Sequence, residues 1–446
     1  MTTADREARL IEIGRRIVRA GRADETEVLL MEGRSFLTRF AAGRIHQNVG
    51  TEDATAVVRV VLGKRLGVAT SSSLEPAALE DAVGAAVAIA KASEPLEDWP
   101  GLPKPRPVAK MDAWDSPTAG ADADVRADMA GVIIAAARAK RGQAAGAVET
   151  EDGSVAVTSS TGVEVAASST RAQVHTVVAA GDGEGYAEGV AWRIGDLDPR
   201  RIGRRAALKA HASRKPAPLE PGRYDVILEP PAVAEWIEYL SYIAFSAKNF
   251  DEGSSPLSGR LGQKVTGDAV TIWDNACDPR TLPMPLDFEG MPARRLPLIA
   301  RGVAKAVATN QYRARRLGKR RSSGHALPAS SGYECMPMHL FMGAGKSSAH
   351  RLVKDTKRGL LVTRFHYTNI LDPMQTVLTG MTRDGTFLIE NGEVVGPVRN
   401  LRYTENVLEA LGRIDGMSQK VTLVRGPVVV PTVRIREVRF SGATEF

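Results

Sequence analysis

Apolar residues recur every three to four positions near the start of the chain. Leu10, Ile13, Ile17 and Val18 share one face, and Gly21 follows them. That spacing predicts an amphipathic helix with a glycine stop. The period then falls to two, which predicts strands over 27–32, 36–41, 44–49 and 54–62, with Gly43 and Gly63-Lys64 as hairpin turns. Leu79, Val83, Val87 and Ala90 return to helical spacing after Ser73, a candidate cap.

Prolines 95, 100, 103, 105, 107 and 117 crowd the stretch from Glu94 to Gly120, which reads as a semi-extended connector. After it the order repeats. Val125, Met129, Val132, Ile133 and Ala136 predict a helix, and strands follow over 147–151, 154–159, 163–168, 171–180 and 186–194. A further helix opens with Asp198 as cap and Pro199 at its first position, where the missing N–H costs nothing. The spacing from stop-glycine to turn-glycine is similar in both stretches, Gly21 to Gly43 and Gly142 to Gly162. Residues 1–215 therefore read as two helix–strands–helix units, 1–93 and 121–215. A duplication and a shared sheet logic both account for the repeat.

From Gly222 the texture changes. A strand over 224–228 leads through Pro230-Pro231 into a helix with Val233, Trp236, Ile237, Leu240 and Ile243 inward. Beyond it most segments alternate as strands: 270–273, 298–308, 360–366, 385–390, 394–398 and 433–440. Asn391-Gly392 between two of them is a hairpin signal. The prediction is an α+β protein: an N-terminal α/β domain (1–215) of helix–antiparallel-strands–helix units, then a β-rich C-terminal domain (216–446) with inserted helices.

Composition changes this picture little. The 446 residues are 43% apolar and 25% charged, as in ordinary soluble proteins. Two cysteines, Cys277 and Cys335, exclude a disulfide framework and fit a reducing compartment. The first residues are charged where a secretory signal would be apolar, and no apolar run is long enough for a bilayer. A cytoplasmic protein without a membrane partner is expected. The net charge of +7 is mild, and 5% aromatic residues are poor material for base stacking, so nucleic acid is not the expected partner. The densest basic run, Arg313, Arg315, Arg316, Lys319, Arg320 and Arg321, is expected to be a solvated helix end rather than a phosphate site.

Catalytic motifs fail one by one. Gly343-Ala-Gly345-Lys346-Ser347 lacks the first glycine of a P-loop, since Leu340 stands there. Gly181-Asp-Gly183-Glu-Gly185 lacks the dinucleotide fingerprint, and no Gly-x-Ser-x-Gly elbow occurs. None of the seven histidines is followed by Glu, so the His-Glu-x-x-His zinc helix is absent. His325, Cys335 and His339 form the one local cluster of ligand-type residues, but Pro337 argues against a regular helix there. A loop cysteine with two ordinary histidines is expected rather than a metal site. Asp251-Glu252 and Asp287 with Glu289 are expected to be solvated loop acids. Residue chemistry alone assigns no catalytic group.

Several longer segments carry a resemblance. Gly222-Arg-Tyr-Asp-Val-Ile-Leu-Glu-Pro through Gly259-Arg-Leu-Gly-Gln-Lys-Val resembles the TldD/PmbA family of peptidases. So do Pro285-Leu-Asp-Phe-Glu-Gly-Met-Pro-Ala-Arg-Arg, Asn310-Gln-Tyr-Arg-Ala-Arg-Arg-Leu-Gly, and Phe387-Leu-Ile-Glu-Asn-Gly-Glu with Pro397-Val. Lys64-Arg-Leu-Gly-Val-Ala-Thr-Ser is similar to its N-terminal part, whereas Thr379-Gly-Met381 departs from the family's more polar pattern. The resemblance implies a paired architecture. A TldD-type subunit carries a zinc-like metal on a His-Glu-x-x-x-His helix and a later cysteine, and a TldE-type subunit, also called PmbA, lacks them and closes a chamber around an unfolded peptide. Here the matching helix offers Glu235 and Glu238 but no histidine, and no cysteine follows Cys335.

The resemblance thus implies a non-catalytic TldE/PmbA-like subunit with no cofactor of its own and a TldD-type partner, with a homodimer as a possible form in isolation. His366, Asn369, Glu390 and Asn391 are the candidate chamber residues, with a turn role the stronger reading for Asn391. Two other classes stand beside this one: a regulator of gyrase or nucleic acid, and a stand-alone metallopeptidase built on His325, Cys335 and His339.

Overall fold

Helix α1 (Thr3–Ala20) starts on a reciprocal cap, with Thr2 accepting from the Asp5 N–H while the Asp5 carboxylate accepts from the Thr2 N–H. The computed structural model to which it belongs describes residues 2–21 and 23–443. Strands β1 (Glu25–Ala41), β2 (Arg44–Leu62) and β3 (Arg65–Ser71) follow, then α2 (Pro76–Ala92). Ser73 does not cap α2; Glu75 holds that position, and the Ser73 hydroxyl takes the Glu75 N–H instead. The proline-rich connector contains one short turn of helix, α3 (Ser116–Ala119). The second unit runs α4 (Ala123–Arg138), β4 (Gln143–Ser159), β5 (Glu164–Ala180), β6 (Gly183–Ala191) and α5 (Pro199–Ala212). Asp198 caps α5 through the Arg201 N–H, as its sequence predicts.

Four pairs of expected strands are single long strands. Glycines and charged residues such as Gly33-Arg34 and Gly50–Asp53 interrupt the apolar alternation, but the ladder continues through them. β1 is paired with β2 on one side and β4 on the other along nearly its whole length. The result is one antiparallel sheet of six strands in the order β3-β2-β1-β4-β5-β6. Gly33 lies opposite Gly153 at the middle of the β1–β4 pair, so the two units meet about a pseudo-two-fold centre. Each unit also places a glycine under its second helix. A Cβ on Gly67 would run into the Ala86 carbonyl of α2, and one on Gly185 into the Ala206 carbonyl of α5. The helices can approach the edge strands only because these side chains are missing.

The second half opens with β7 (Gly222–Leu228), α6 (Pro230–Ile243) and α7 (Ala247–Asp251). Short strands β8 (Ile272–Asp274), β9 (Leu296–Ala300) and β10 (Val303–Ala304) precede α8 (Gln311–Arg316), β11 (Leu340–Met342) and α9 (Ala349–Lys354). The expected strand over 298–308 is broken because Arg301 and Gly302 both take positive φ, 46° and 74°, and turn the chain back on itself. Long strands complete the chain: β12 (Arg358–Asp372), β13 (Val377–Glu390), β14 (Glu393–Pro397), β15 (Leu401–Asn406), then α10 (Val407–Gly412), β16 (Ile414–Val424) and β17 (Val428–Ala443).

These strands make an 11-stranded sheet. Because β7 pairs with both β12 and β17, the strands β17-β15-β13-β12-β7 close into a ring. Helix α6 packs on it through Val233, Trp236, Ile237, Leu240 and Ile243, all buried as predicted. Trp236 stacks on Phe365 at 5.4 Å, and Phe365 meets Tyr403 at 4.4 Å. Among the described residues five ion pairs join the halves: Arg59 with Glu289, Arg205 and Lys209 with Glu229, Arg316 with Asp98, and Arg383 with Glu184. The mixed architecture with a strand-rich second half is the predicted α+β class. No helix among the described residues is long and apolar enough to cross a membrane.

Candidate functional site

Burying one face of α6 commits the other. Glu235, Glu238, Tyr239 and Tyr242 stand at i, i+3, i+4 and i+7, one stripe along the helix, and line a cavity of about 420 Å³. Tyr186 and Glu188 of β6 form its opposite wall, Arg364 to Thr368 of β12 its floor, and Arg425 after β16 its rim. The cavity therefore lies where the two halves of the chain meet.

Its electrostatics follow from burial. Burial raises the pKa of Glu235, against a hydrogen bond from Thr368. It raises Glu238 likewise, against the nearby Arg425 charge. Glu188 is pushed up by burial although the Tyr186 hydroxyl donates to it at 2.6 Å. His366 is shifted the other way: burial and the charges of Arg364 and Arg383 hold it below the usual histidine range. Burial thus weighs against charge both on the imidazole and on the three acids of the site.

Of the residues singled out from sequence, His366 lines this cavity. Asn369 lies just beyond it, where its side-chain amide donates to the Tyr367 carbonyl at 2.9 Å across a bulge with Tyr367 at φ 50°. Glu390 and Asn391 sit elsewhere. Glu390 pairs with Arg358 at the opposite end of β12, eight residues before His366, or roughly 26 Å along an extended strand. Asn391 (φ 49°) and Gly392 (φ 80°) form the β13–β14 turn, the geometry that the pair prefers.

His325 and His339 meet on one carboxylate, Asp274, while Cys335 is held elsewhere. His325 Nε2 lies 3.0 Å from Asp274 Oδ1, and the other Asp274 oxygen accepts the His339 backbone N–H at 2.6 Å. The Cys335 thiol donates to the Ala308 carbonyl at 3.2 Å, and burial pushes its pKa up to about 11. Such a thiol is a core residue rather than a reactive one.

Three expectations about charge need correction: those for the basic run, for Asp251-Glu252, which end α7 and are bound by arginines, and for Asp287 with Glu289. The basic run is not simply solvated: Arg313 is buried and binds Glu334, Asp251 and Glu252, while Arg316 pairs with Asp98 and Asp251. Asp287 and Glu289 are not solvated acids either, being 5% and 3% exposed. Asp287 accepts three backbone N–H groups, from Glu289, Met291 and Ala326. Isolated acids in a loop give no local signal that a distant arginine will bury them.

Three consecutive family models match the chain: PmbA/TldA metallopeptidase domain 1 over residues 26–90, the central domain over 117–214, and the C-terminal domain over 221–442. The chain belongs to the PmbA/TldD family. The Metalloprotease PmbA of Escherichia coli O157:H7 is 25% identical over 93% of both chains, and the Metalloprotease PmbA homolog of Haemophilus influenzae is 24% identical over 94% of this chain and 93% of its own. Against a Metalloprotease of Methanothermobacter thermautotrophicus the identity is 27%, but the match spans only 51% of this chain and 49% of the relative, so the chain covers about half the length of that curated relative. The fold is that of TldE from Thermococcus kodakarensis, with a TM-score of 0.88 at 24% identity over 98% and 99% of the two chains.

A metallopeptidase family implies a metal ion, and the described residues of this PmbA/TldD chain bring together no donor set that fits one. Zinc takes three or four convergent N, S or O donors at about 2.0–2.3 Å. Helix α6 contributes two carboxyls and no histidine to the cavity. Among the described residues no group of three or more His, Cys, Asp or Glu is arranged to hold a metal. The apolar face of α6 was legible in its spacing; that its other face would meet β6 and the turn after β16 was not.

Proposed function

We propose that the chain is the non-catalytic, TldE-like member of a two-subunit metalloprotease, forming half of an enclosed chamber for unfolded peptide beside a TldD-type subunit that carries the metal. The observation that carries this reading is the cavity face of α6, which presents Glu235, Glu238, Tyr239 and Tyr242 instead of metal ligands. Two surface features support an assembly. The β12–β13 hairpin exposes Tyr367, Ile370, Leu371 and Met374 beside the cavity, apolar groups that a partner subunit would cover. β3 pairs with β2 only from Ala56 to Leu62, so the 44–55 stretch of β2 keeps an edge without a ladder partner among the described residues. An extended peptide can add to such an edge with little sequence preference. Two unpaired cysteines support a reducing, cytoplasmic setting.

The test is reconstitution with a TldD-type subunit from the same organism, reading cleavage of an unfolded peptide. Hydrolysis is expected only when both chains are present. Full-rate cleavage by the TldD-type subunit alone, or chelator-sensitive cleavage by this chain alone, would overturn the reading.

A further inference from the structure

The acids of the α6 cavity have arginine charges near them, Arg425 and Arg364 for Glu188, Arg364 for Glu235 and Arg425 for Glu238, but are locked to neither. Among the described residues none of Glu188, Glu235 and Glu238 forms an ion pair. Arg364, the guanidinium in the same wall, is committed to Asp384 and lies 4.4 Å over the Tyr186 ring. Glu188 uses one oxygen to accept from Tyr186, while the other is shut off from solvent with no hydrogen-bond partner. A buried acceptor left without a donor is costly, and native structures rarely keep one without a reason.

Aromatic faces complete the arrangement. Tyr186, Tyr239 and Tyr242 line the space, with Tyr239 fixed by its hydroxyl on the Thr368 carbonyl at 2.5 Å and its ring 6.3 Å from Tyr242. Gly426, at φ 92°, brings the turn after β16 against the Glu238 carboxyl, and Arg425 stands there with no ion pair or hydrogen bond of its side chain among the described residues. Carboxylates and ring faces around one small space suit an ammonium or guanidinium group, which donates to the oxygens and lies against the rings. A metal ion would need donors converging on one point; an organic cation does not.

We propose that this cavity binds the cationic group of a peptide, with Glu188, Glu235 and Glu238 receiving its N–H donors and Arg425 meeting a carbonyl or carboxylate oxygen of the same peptide. The choice of a peptide as carrier rests on the chamber reading above, whereas the cation site rests on the cavity itself. The cation can be an amino terminus or a basic side chain.

Isothermal titration of the full chain, alone, tests this with four probes: Ala-Ala-Ala amide, N-acetyl-Ala-Lys-Ala amide, the neutral N-acetyl-Ala-Ala-Ala amide, and n-butylammonium chloride. At least one cationic peptide is expected to bind at least about tenfold more tightly than the neutral one, and whichever binds better identifies the source of the cation. Glu235→Gln with Glu238→Gln is expected to lose about tenfold in affinity with an unchanged circular dichroism melt, and Glu188→Gln separately to weaken binding. Equal binding of neutral and cationic peptides, no binding of any cationic probe at millimolar concentration, or full affinity in the variants would overturn the proposal. Binding of n-butylammonium but of no peptide would overturn the peptide assignment while leaving the subunit reading to its own cleavage test.

Discussion

Arg59 on β2 donates to Glu289 at 3.1 Å, tying the first sheet to a loop of the second half, 230 residues away in sequence. The same guanidinium binds Glu27 at 2.7 Å, and all three side chains are under a tenth exposed. Glu289 passes the link on, accepting the Gln311 backbone N–H at the start of α8. Removing one member leaves a buried charge without its partner. Arg59→Met is therefore expected to cost about 3–5 kcal/mol, read from the urea midpoint. A loss below about 1 kcal/mol would show that water or rearrangement replaces the pair.

Two acids, Glu27 and Glu289, share that one arginine, and Asp287 feels the Glu289 charge, which sets a pH dependence. Burial pushes Glu27 up to about 7, with Arg59 opposing and Glu289 adding to the shift. Burial and the Glu289 charge push Asp287 to about 7 as well. Acids with raised folded pKa values bind more protons folded than unfolded between about pH 4.5 and 7. Their contribution to stability is present below that window and is lost as pH rises through about 7. In Glu27→Gln the stability difference between pH 5 and pH 8 is expected to shift in favour of pH 8 by on the order of 3 kcal/mol. Parallel pH profiles for the two proteins would contradict a raised Glu27 pKa.

The glycines under the helices make a sharper test of packing. Gly67→Ala and Gly185→Ala each drive a Cβ into a helix carbonyl, at an expected cost of about 1–3 kcal/mol. Gly84 lies within α2 with nothing within 4 Å of its Cβ position, so Gly84→Ala is expected to stabilise by about 0.5–1 kcal/mol. Thermal melts of the three variants decide it, and the same sign in all three would sink the argument.

The hairpin tip bears on assembly. Leu371 and Met374 are 59% and 44% exposed, so replacing them costs the free chain little. Leu371→Ser with Met374→Ser is expected to leave the melting temperature of this chain within a degree or so and to weaken association with a TldD-type subunit about tenfold or more. Unchanged co-elution would move the interface elsewhere.

Local rules carried much of the fold. The period change after Gly21, the Asp198-Pro199 start of α5, the buried face of α6 and the Asn391-Gly392 turn all follow from a few neighbouring residues. Strand length did not, because the ladder through Gly33-Arg34 is held by β2 and β4 rather than by β1 itself. The site was legible by halves. His366 stands in the cavity, but Glu390 is carried to the other end of β12 by the hairpin register. The walls that face Glu235 and Glu238 come from β6, β12 and the turn after β16, and Glu289 meets Arg59 only across the whole fold. No periodicity encodes such encounters.

On the proposed subunit reading this chain contributes no metal ligands to a metalloprotease. Elemental mass spectrometry of the chain purified alone, and of its complex with a TldD-type subunit, tests it most directly. The account predicts near-zero metal on the chain alone and about one metal ion per complex. About one zinc per chain in the isolated protein, lost on replacing Cys335 or His339, would contradict it.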